Sequence, residues 1–179
     1  MRCLLFWLLL LTPTAVLAAP PTQPVMMPLG SGPDSVAAGT ARMVGAILEY
    51  TRWPSPRPVV RLCLAGVTRH AGRLAGIDLS NGVRVELAKL DGQGVVAPDR
   101  CDALYIGRVG AAPMRSLIAS LRDQAIVTIA EDDPDCRSGA MFCLLYGETS
   151  LSFQLSIDAV SRSAVKIDPR VLRLSKGGY

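Results

Sequence analysis

Residues 103–130, ALYIGRVGAAPMRSLIASLRDQAIVTIA, carry a strand, a helix and a second strand in one short stretch. Residues 103–106 are a compact apolar run that ends at Gly107, and residues 125–130 are a second run; both are typical of buried strands. Between them, residues 113–121 have the apolar spacing of an amphipathic helix with a proline in its first turn. Strands that alternate with helices favour a mainly parallel sheet with helices on both sides.

The rest of the chain extends this α/β pattern in both directions. Asp34 or Ser35 can cap a helix that follows, and Pro54 ends that helix. The predicted elements are a helix over 36–48, strands over 59–65 and 83–90, a hairpin of strands over 136–146 and 151–155, and helices over 157–163 and 169–174. We therefore predict one α/β domain over residues 34–176.

The first 18 residues have the features of an export signal. Arg2 supplies a positive start, and the apolar run over 3–11 is shorter than the about 20 residues that cross a bilayer. The small-residue pattern at 16–18 predicts cleavage near Ala18. Residues 19–33 are rich in Pro and Gly and predict a disordered mature N-terminus. We expect the mature protein to work outside the cytoplasm.

The predicted signal removes Cys3 and leaves Cys63, Cys101, Cys136 and Cys143. An even number of cysteines in an exported protein is typical of two disulfides, and four cysteines permit three pairings. Cys136 and Cys143 can close a small loop, whereas Cys63 and Cys101 can join two elements that meet in the core. Buried free cysteines are the alternative. Zinc is disfavoured because no C-x-x-C pair is present.

The sequence offers no complete catalytic or cofactor motif. His70 is the only histidine, and because no G-x-S-x-G elbow accompanies it, we read it as a surface or loop residue. Residues 66–69 follow a strand but lack a phosphate-binding spacing, so they predict a structural turn. The acidic run over 131–135 lacks the glycine and spacing of a calcium loop and predicts a solvated segment. We expect no enzyme activity, no cofactor and no metal.

Charge and aromatic residues further restrict the function. The formal net charge of +4 is spread without a basic run, which argues against nucleic-acid binding. Trp53 follows an apolar helix, which favours packing in the core over an exposed anchor. Phe142 lies on a predicted strand whose alternate residues face opposite sides, so it belongs either to the core or to an exposed apolar knob beside a disulfide.

Six segments taken in order resemble the YfiR-like, or HmsC-like, family of periplasmic proteins. The first resembles the family's helix leading to F-x-x-W-P, and the last resembles its I-S-S-x-L-L-x-L-A ending. The segments are AILEYTRWP at 46–54, LCLAG at 62–66, CDALYI at 101–106, IVTI at 126–129, FQL at 153–155 and IDPRVLRL at 167–174.

This resemblance implies a Rossmann-like sandwich that forms a homodimer in the periplasm. It also implies the disulfides Cys63–Cys101 and Cys136–Cys143, the second of which would staple the C-terminal hairpin. The implied role is repression of a membrane-bound diguanylate cyclase, an enzyme that makes cyclic di-GMP and promotes biofilm, in connection with an OmpA-like outer-membrane lipoprotein.

The partner surface of relatives lies near the second disulfide and the strand and helix that follow it. The resemblance therefore implies partner-binding roles for Phe142, Gln154 and Val160, although relatives carry an acidic residue where Gln154 aligns. The alternative function is a small-ligand receptor that signals to a membrane sensor kinase or transporter. A hydrolase is a third class, and it would depend on His70.

Overall fold

The computed structural model describes residues 26–88, 90, 99–131 and 133–174. The predicted export signal over 1–18 and the first part of the predicted disordered segment lie outside these residues. Within the described residues, no helix has both the length and the apolar character needed to cross a membrane.

The described residues form short strands and helices in alternation. The strands are β1 (Met27–Pro28), β2 (Thr51–Arg52), β3 (Val59–Ala65), β4 (Arg84–Ala88), β5 (Ala103–Ile106), β6 (Val127–Ala130), β7 (Phe142–Tyr146), β8 (Ser150–Leu155) and β9 (Lys166–Ile167). The α-helices are α1 (Ser35–Glu49), α2 (Ala111–Ser120) and α3 (Ile157–Ser161), and short 3₁₀ helices span Ala71–Arg73 and Pro169–Arg173.

Seven of these strands form one mixed sheet in the order β1-β8-β7-β6-β5-β3-β4. Every pairing from β4 across to β7 is parallel, whereas β8 pairs antiparallel with both β7 and β1. Strands β2 and β9 form a separate two-stranded ribbon. The prediction of a mainly parallel α/β sheet with a C-terminal hairpin is confirmed.

Strand β5 lies inside the sheet between β3 and β6, and all four of its residues are buried. Tyr105 belongs to the apolar cluster that contains Met43 of α1. The next residue toward the N-terminus, Leu104, belongs to the cluster that contains Met114 of α2. Successive side chains of a strand point to opposite faces, so the two helices cover opposite sides of the sheet.

The structure corrects the prediction of disorder at the end of residues 19–33. Met27 pairs with Leu151 of β8, and the backbone N–H of Leu29 donates a hydrogen bond to the carbonyl of Thr149 at 2.8 Å. A strand of two residues has no sequence period, because its existence depends on a partner that is distant in the chain. This pairing leaves β1 as the edge strand.

The start of α1 also differs from the prediction. Asp34 occupies the N-cap position, but its side chain makes no capping hydrogen bond. The Asp34 carboxylate instead lies 2.6 Å from the guanidinium of Arg73, beyond the helix.

Toward the C-terminus, α3 ends at Ser161, and the helix predicted over 169–174 is a 3₁₀ turn.

Candidate functional site

The strand order places a topological switch point between β3 and β5. Numbered along the parallel part, the order β4-β3-β5-β6-β7 is the flavodoxin-like one, in which ligands bind outside the carboxyl ends of the two strands beside the reversal. The loops that leave β3 and β5 bond to each other here: Val67 N–H donates to the Arg108 carbonyl at 3.1 Å, and Arg108 N–H donates to the Val67 carbonyl at 2.9 Å.

Glycine makes this loop contact sterically feasible. A Cβ at Gly107 would lie 2.4 Å from the Val67 carbonyl oxygen. Gly66 has a φ of +72°, and a Cβ there would lie 2.6 Å from the Arg108 carbonyl oxygen. Peptide backbone therefore occupies the crevice where nucleotide-binding proteins of this architecture hold their ligand. The prediction of a structural turn over residues 66–69 agrees with this geometry.

The open concavity at this edge lies beside the closed crevice, toward the ends of β6 and β7. It has a volume of about 240 Å³. The described residues that line it are Arg69, His70, Glu131, Asp133, Pro134, Leu144, Leu145 and Tyr146. Serine, threonine and cysteine are absent from these described lining residues, so the lining does not supply His70 with the hydroxyl or thiol of a serine- or cysteine-type triad.

Glu131 is the most buried charged residue of this pocket, with 4% of its surface exposed. Its carboxylate accepts the backbone N–H groups of Arg69 at 2.5 Å and His70 at 3.1 Å. It also accepts the phenolic O–H of Tyr105 at 2.7 Å. The prediction of a solvated acidic run is wrong at Glu131, because its carboxylate holds the turn after β3 against the end of β6.

A chain of hydroxyl groups connects Glu131 with helix α1. The Tyr105 oxygen lies 3.2 Å from the Tyr146 oxygen, which lies 3.1 Å from the Thr40 hydroxyl. Thr40 in turn donates to the carbonyl of Val36 within α1. Burial raises the pKa of both Tyr105 and Tyr146 above the usual tyrosine value, so both phenols remain protonated at neutral pH.

His70 packs its ring against Tyr146, with 4.4 Å between the ring centroids and an interplanar angle of 39°. The ring is half-buried, and the pair forms one wall of the pocket. His70 lies in the loop before the first 3₁₀ turn, which agrees with its prediction as a surface or loop residue.

A second buried carboxylate lies at the opposite, amino edge of the sheet. Asp102 accepts the backbone N–H of Arg61 at 2.9 Å and its Nε at 3.1 Å. Arg57 Nε lies 3.1 Å from the other oxygen, as an ion contact without hydrogen-bond geometry. The Asp102 carbonyl accepts the indole N–H of Trp53 at 3.1 Å, which fixes Trp53 against the core as predicted.

Both disulfides that the resemblance implies are present. Cys63–Cys101 joins β3 to the residue that precedes Asp102, and Cys136–Cys143 joins the loop after β6 to β7. Asp133 lies close to the second disulfide, but sulfurs joined to each other offer no thiolate to a metal. The Asp133 carboxylate instead accepts the backbone N–H groups of Arg137 and Ser138.

The predicted partner-binding residues differ in exposure. Phe142 is completely buried and packs edge-on against Phe153, with ring centroids 5.4 Å apart. Of the two interpretations of Phe142, the core position is therefore the observed one and the exposed apolar knob is not, because β7 lies inside the sheet with its two faces covered. Gln154 is exposed and Val160 is half-buried against the core, and their roles stay predictions.

Sequence reasoning missed an exposed apolar residue near the predicted surface. Ile157, the first residue of α3, has 78% of its surface exposed. It lies three positions after Gln154 and three before Val160. A partial signal was available, because serine is a preferred N-cap residue and Ser156 indicates that the helix begins at Ile157.

Comparison with known protein families agrees with the resemblance seen in the sequence. The model of the YfiR/HmsC-like family matches residues 37–176. The match covers α1 from its third residue, every strand of the parallel part of the sheet, both disulfides and the two 3₁₀ turns. This chain belongs to the YfiR/HmsC-like family.

Proposed function

We propose that this chain is a periplasmic regulatory protein that represses a membrane-bound diguanylate cyclase through direct protein contact. The observation that carries the proposal is the family match over residues 37–176, because the family is known for periplasmic regulation of diguanylate cyclases. Two disulfides in one small domain fit the oxidising periplasm. The closed switch point fits a protein that acts by contact.

The proposed partner surface is the end of β8 and the start of α3, defined by Gln154, Ile157 and Val160. Ile157 replaces the buried Phe142 as its apolar anchor. An exposed isoleucine flanked by an exposed polar residue matches the composition of a small docking surface, in which one apolar side chain enters a pocket and polar groups form the rim. The partner we propose is the periplasmic domain of the cyclase.

The experiment measures cellular cyclic di-GMP after gene deletion and complementation. Deletion should raise cyclic di-GMP and thicken the biofilm, and the unchanged gene should reverse both effects. An Ile157→Asp variant should fail to restore repression, because a carboxylate in an apolar pocket must lose its water without gaining a partner. Loss of one anchor of about 2 kcal/mol weakens binding about 30-fold.

Val67→Asp is the matched control. Val67 is also an exposed apolar residue, at 72%, but it lies at the carboxyl edge of the sheet, whereas the proposed surface lies at the amino edge. This variant should repress as the unchanged protein does. Unaltered cyclic di-GMP in the deletion strain would refute the cyclase assignment, and equal behaviour of the two variants would refute the proposed surface.

The proposal also includes a homodimer and a connection with an OmpA-like outer-membrane lipoprotein. Light scattering of the purified mature protein tests the first, and co-purification of the lipoprotein after mild cross-linking tests the second. A mass that corresponds to one chain at all concentrations would count against the dimer.

A small-ligand receptor is the second candidate function. The observation that favours it is the carboxyl-edge pocket with its buried Glu131. In this function the protein would pass the occupancy of the pocket to a membrane sensor kinase or transporter.

A further inference from the structure

We propose that the carboxyl-edge pocket binds a small organic ammonium ion. The pocket is the one lined by Arg69, His70, Glu131, Asp133 and Tyr146, among other residues. This inference deepens the receptor candidate and is independent of the cyclase assignment. Its experiment uses purified protein and no cyclase, so the two can fail separately.

The charge of the pocket carries the first part of the argument. Glu131 is nine-tenths buried or more, and the donors that reach its carboxylate are two amide N–H groups and one phenol. None of these three donors is a cation. Asp102, at the other end of the sheet, is buried as deeply as Glu131, but its carboxylate forms ion contacts with two arginines.

A carboxylate has room for about four hydrogen bonds, and that of Glu131 receives three from the residues that the structure describes. Pairing with a cation stabilises a buried carboxylate. The Glu131 carboxylate lines a cavity and not a packed interior, so a bound cation could reach it. An ammonium N–H donor in the cavity would supply both the fourth hydrogen bond and the missing charge.

The walls of the pocket suit the organic part of such a ligand. The rings of His70 and Tyr146 form one wall, and the face of a tyrosine ring attracts ammonium groups. Leu144 and Leu145 add apolar surface. The volume of about 240 Å³ lies below the range of about 300–1,000 Å³ that holds drug-sized ligands, so the ligand should be a small amine.

Arg69 makes the sign of the ligand charge testable. Its guanidinium is exposed at the rim and disfavours a cation, whereas Glu131 and Asp133 favour one. Removal of Arg69 should therefore tighten the binding of an ammonium ion and weaken the binding of an anion. The two classes of ligand give opposite results in the same variant.

The experiment titrates purified mature protein with propylammonium chloride and, separately, with sodium propionate at equal ionic strength. Calorimetry and the melting temperature are the readouts. Propylammonium should bind and raise the melting temperature, and propionate should do neither. Arg69→Ala should tighten propylammonium binding about 2- to 5-fold, and Glu131→Gln should weaken it at least about 10-fold.

Two further variants guard against a trivial result. His70→Leu leaves the backbone N–H that bonds Glu131 in place. It should weaken binding about 2- to 5-fold, because the Tyr146 ring that attracts the ammonium loses the ring packed against it. Asp135→Asn removes a carboxylate that is exposed, outside the pocket and near Arg137, and it should change nothing. If Glu131→Gln fails to fold, the proposal is still tested by weaker propylammonium binding in His70→Leu and tighter binding in Arg69→Ala.

Co-sedimentation with phosphatidylethanolamine vesicles distinguishes a lipid headgroup from a free amine as the source of the ammonium. Sedimentation that is weakened in His70→Leu assigns the ammonium to lipid. If the unchanged protein does not sediment with the vesicles but binds propylammonium in solution, the ammonium belongs to a free molecule. Binding of propionate in preference to propylammonium would overturn the proposal. So would propylammonium binding that is equal in all variants.

Discussion

Phe142→Ala should destabilise the protein strongly because Phe142 is part of the core. The side chain is 0% exposed, its ring contacts that of Phe153, and its backbone pairs with Ile129 of β6 and Leu155 of β8. Truncation of a fully buried phenylalanine to alanine costs about 3–5 kcal/mol of unfolding free energy, through lost burial and the cavity that remains.

The expected shift in melting temperature follows from the size of the domain. In a domain of this size 1 kcal/mol corresponds to about 3 °C, so Phe142→Ala should melt about 10–15 °C below the unchanged protein. Ile157→Ala, at a site that is 78% exposed, should melt within about 2 °C of it. Circular dichroism on heating and urea unfolding of the mature protein measure both variants.

The comparison separates stability from docking. Phe142→Ala should lose repression only to the extent that it is unfolded at the growth temperature, whereas Ile157→Ala should weaken repression while folded. A Phe142→Ala protein that melts within about 2 °C of the unchanged one would refute the placement of Phe142 in the core, because removal of a fully buried ring lowers the unfolding free energy by more than this shift corresponds to.

Two further predictions concern the disulfides and the buried phenols. Double replacement of Cys63 and Cys101 by alanine should cost about 4 kcal/mol of unfolding free energy, and that of Cys136 and Cys143 about 2.5 kcal/mol. The costs differ because the closed loops differ in length, with separations of 38 and 7 residues. Urea unfolding of both variants checks the order, and the reverse order would contradict the loop argument. Burial raises the pKa of Tyr105, so the folded protein keeps a proton that the unfolded chain releases near pH ~10. Stability should be full below that pH and fall above it, and Tyr105→Phe should make the fall shallower in urea titrations between pH about 8 and 11; equal slopes would contradict the burial of this phenol.

The sequence predicts the central strands well for a physical reason. Residues 59–65 are apolar except for Arg61, residues 103–106 are apolar throughout, and a glycine follows each run. The structure has β3 and β5 over those same residues. Burial on both faces leaves little choice of position. The two-residue strands β1, β2 and β9 were missed because they have no period of their own and form only where a distant partner aligns.

The candidate site was less predictable because its polar residues act through burial. The acidic run that contains Glu131 looks like a solvated loop, and only the loop contact between residues 67 and 108 brings backbone N–H groups to its carboxylate. Tyr105 in an otherwise aliphatic strand was a usable signal, since a buried phenol needs a hydrogen-bond partner. For Phe142, strand alternation alone cannot tell which face is covered.

The connection between β6 and β7 explains how the proposed docking surface is held. Parallel strands are normally joined through a helix, yet no described residue between these two strands is helical. The disulfide Cys136–Cys143 and the two backbone N–H groups bound by Asp133 stabilise this loop instead. At its end, Met141 N–H donates to the Thr128 hydroxyl of β6 at 2.9 Å, and the Met141 carbonyl accepts the N–H of Ser156, the cap of α3. The loop thus positions the first turn of α3, and loss of this disulfide should displace Ile157 as well as destabilise the hairpin.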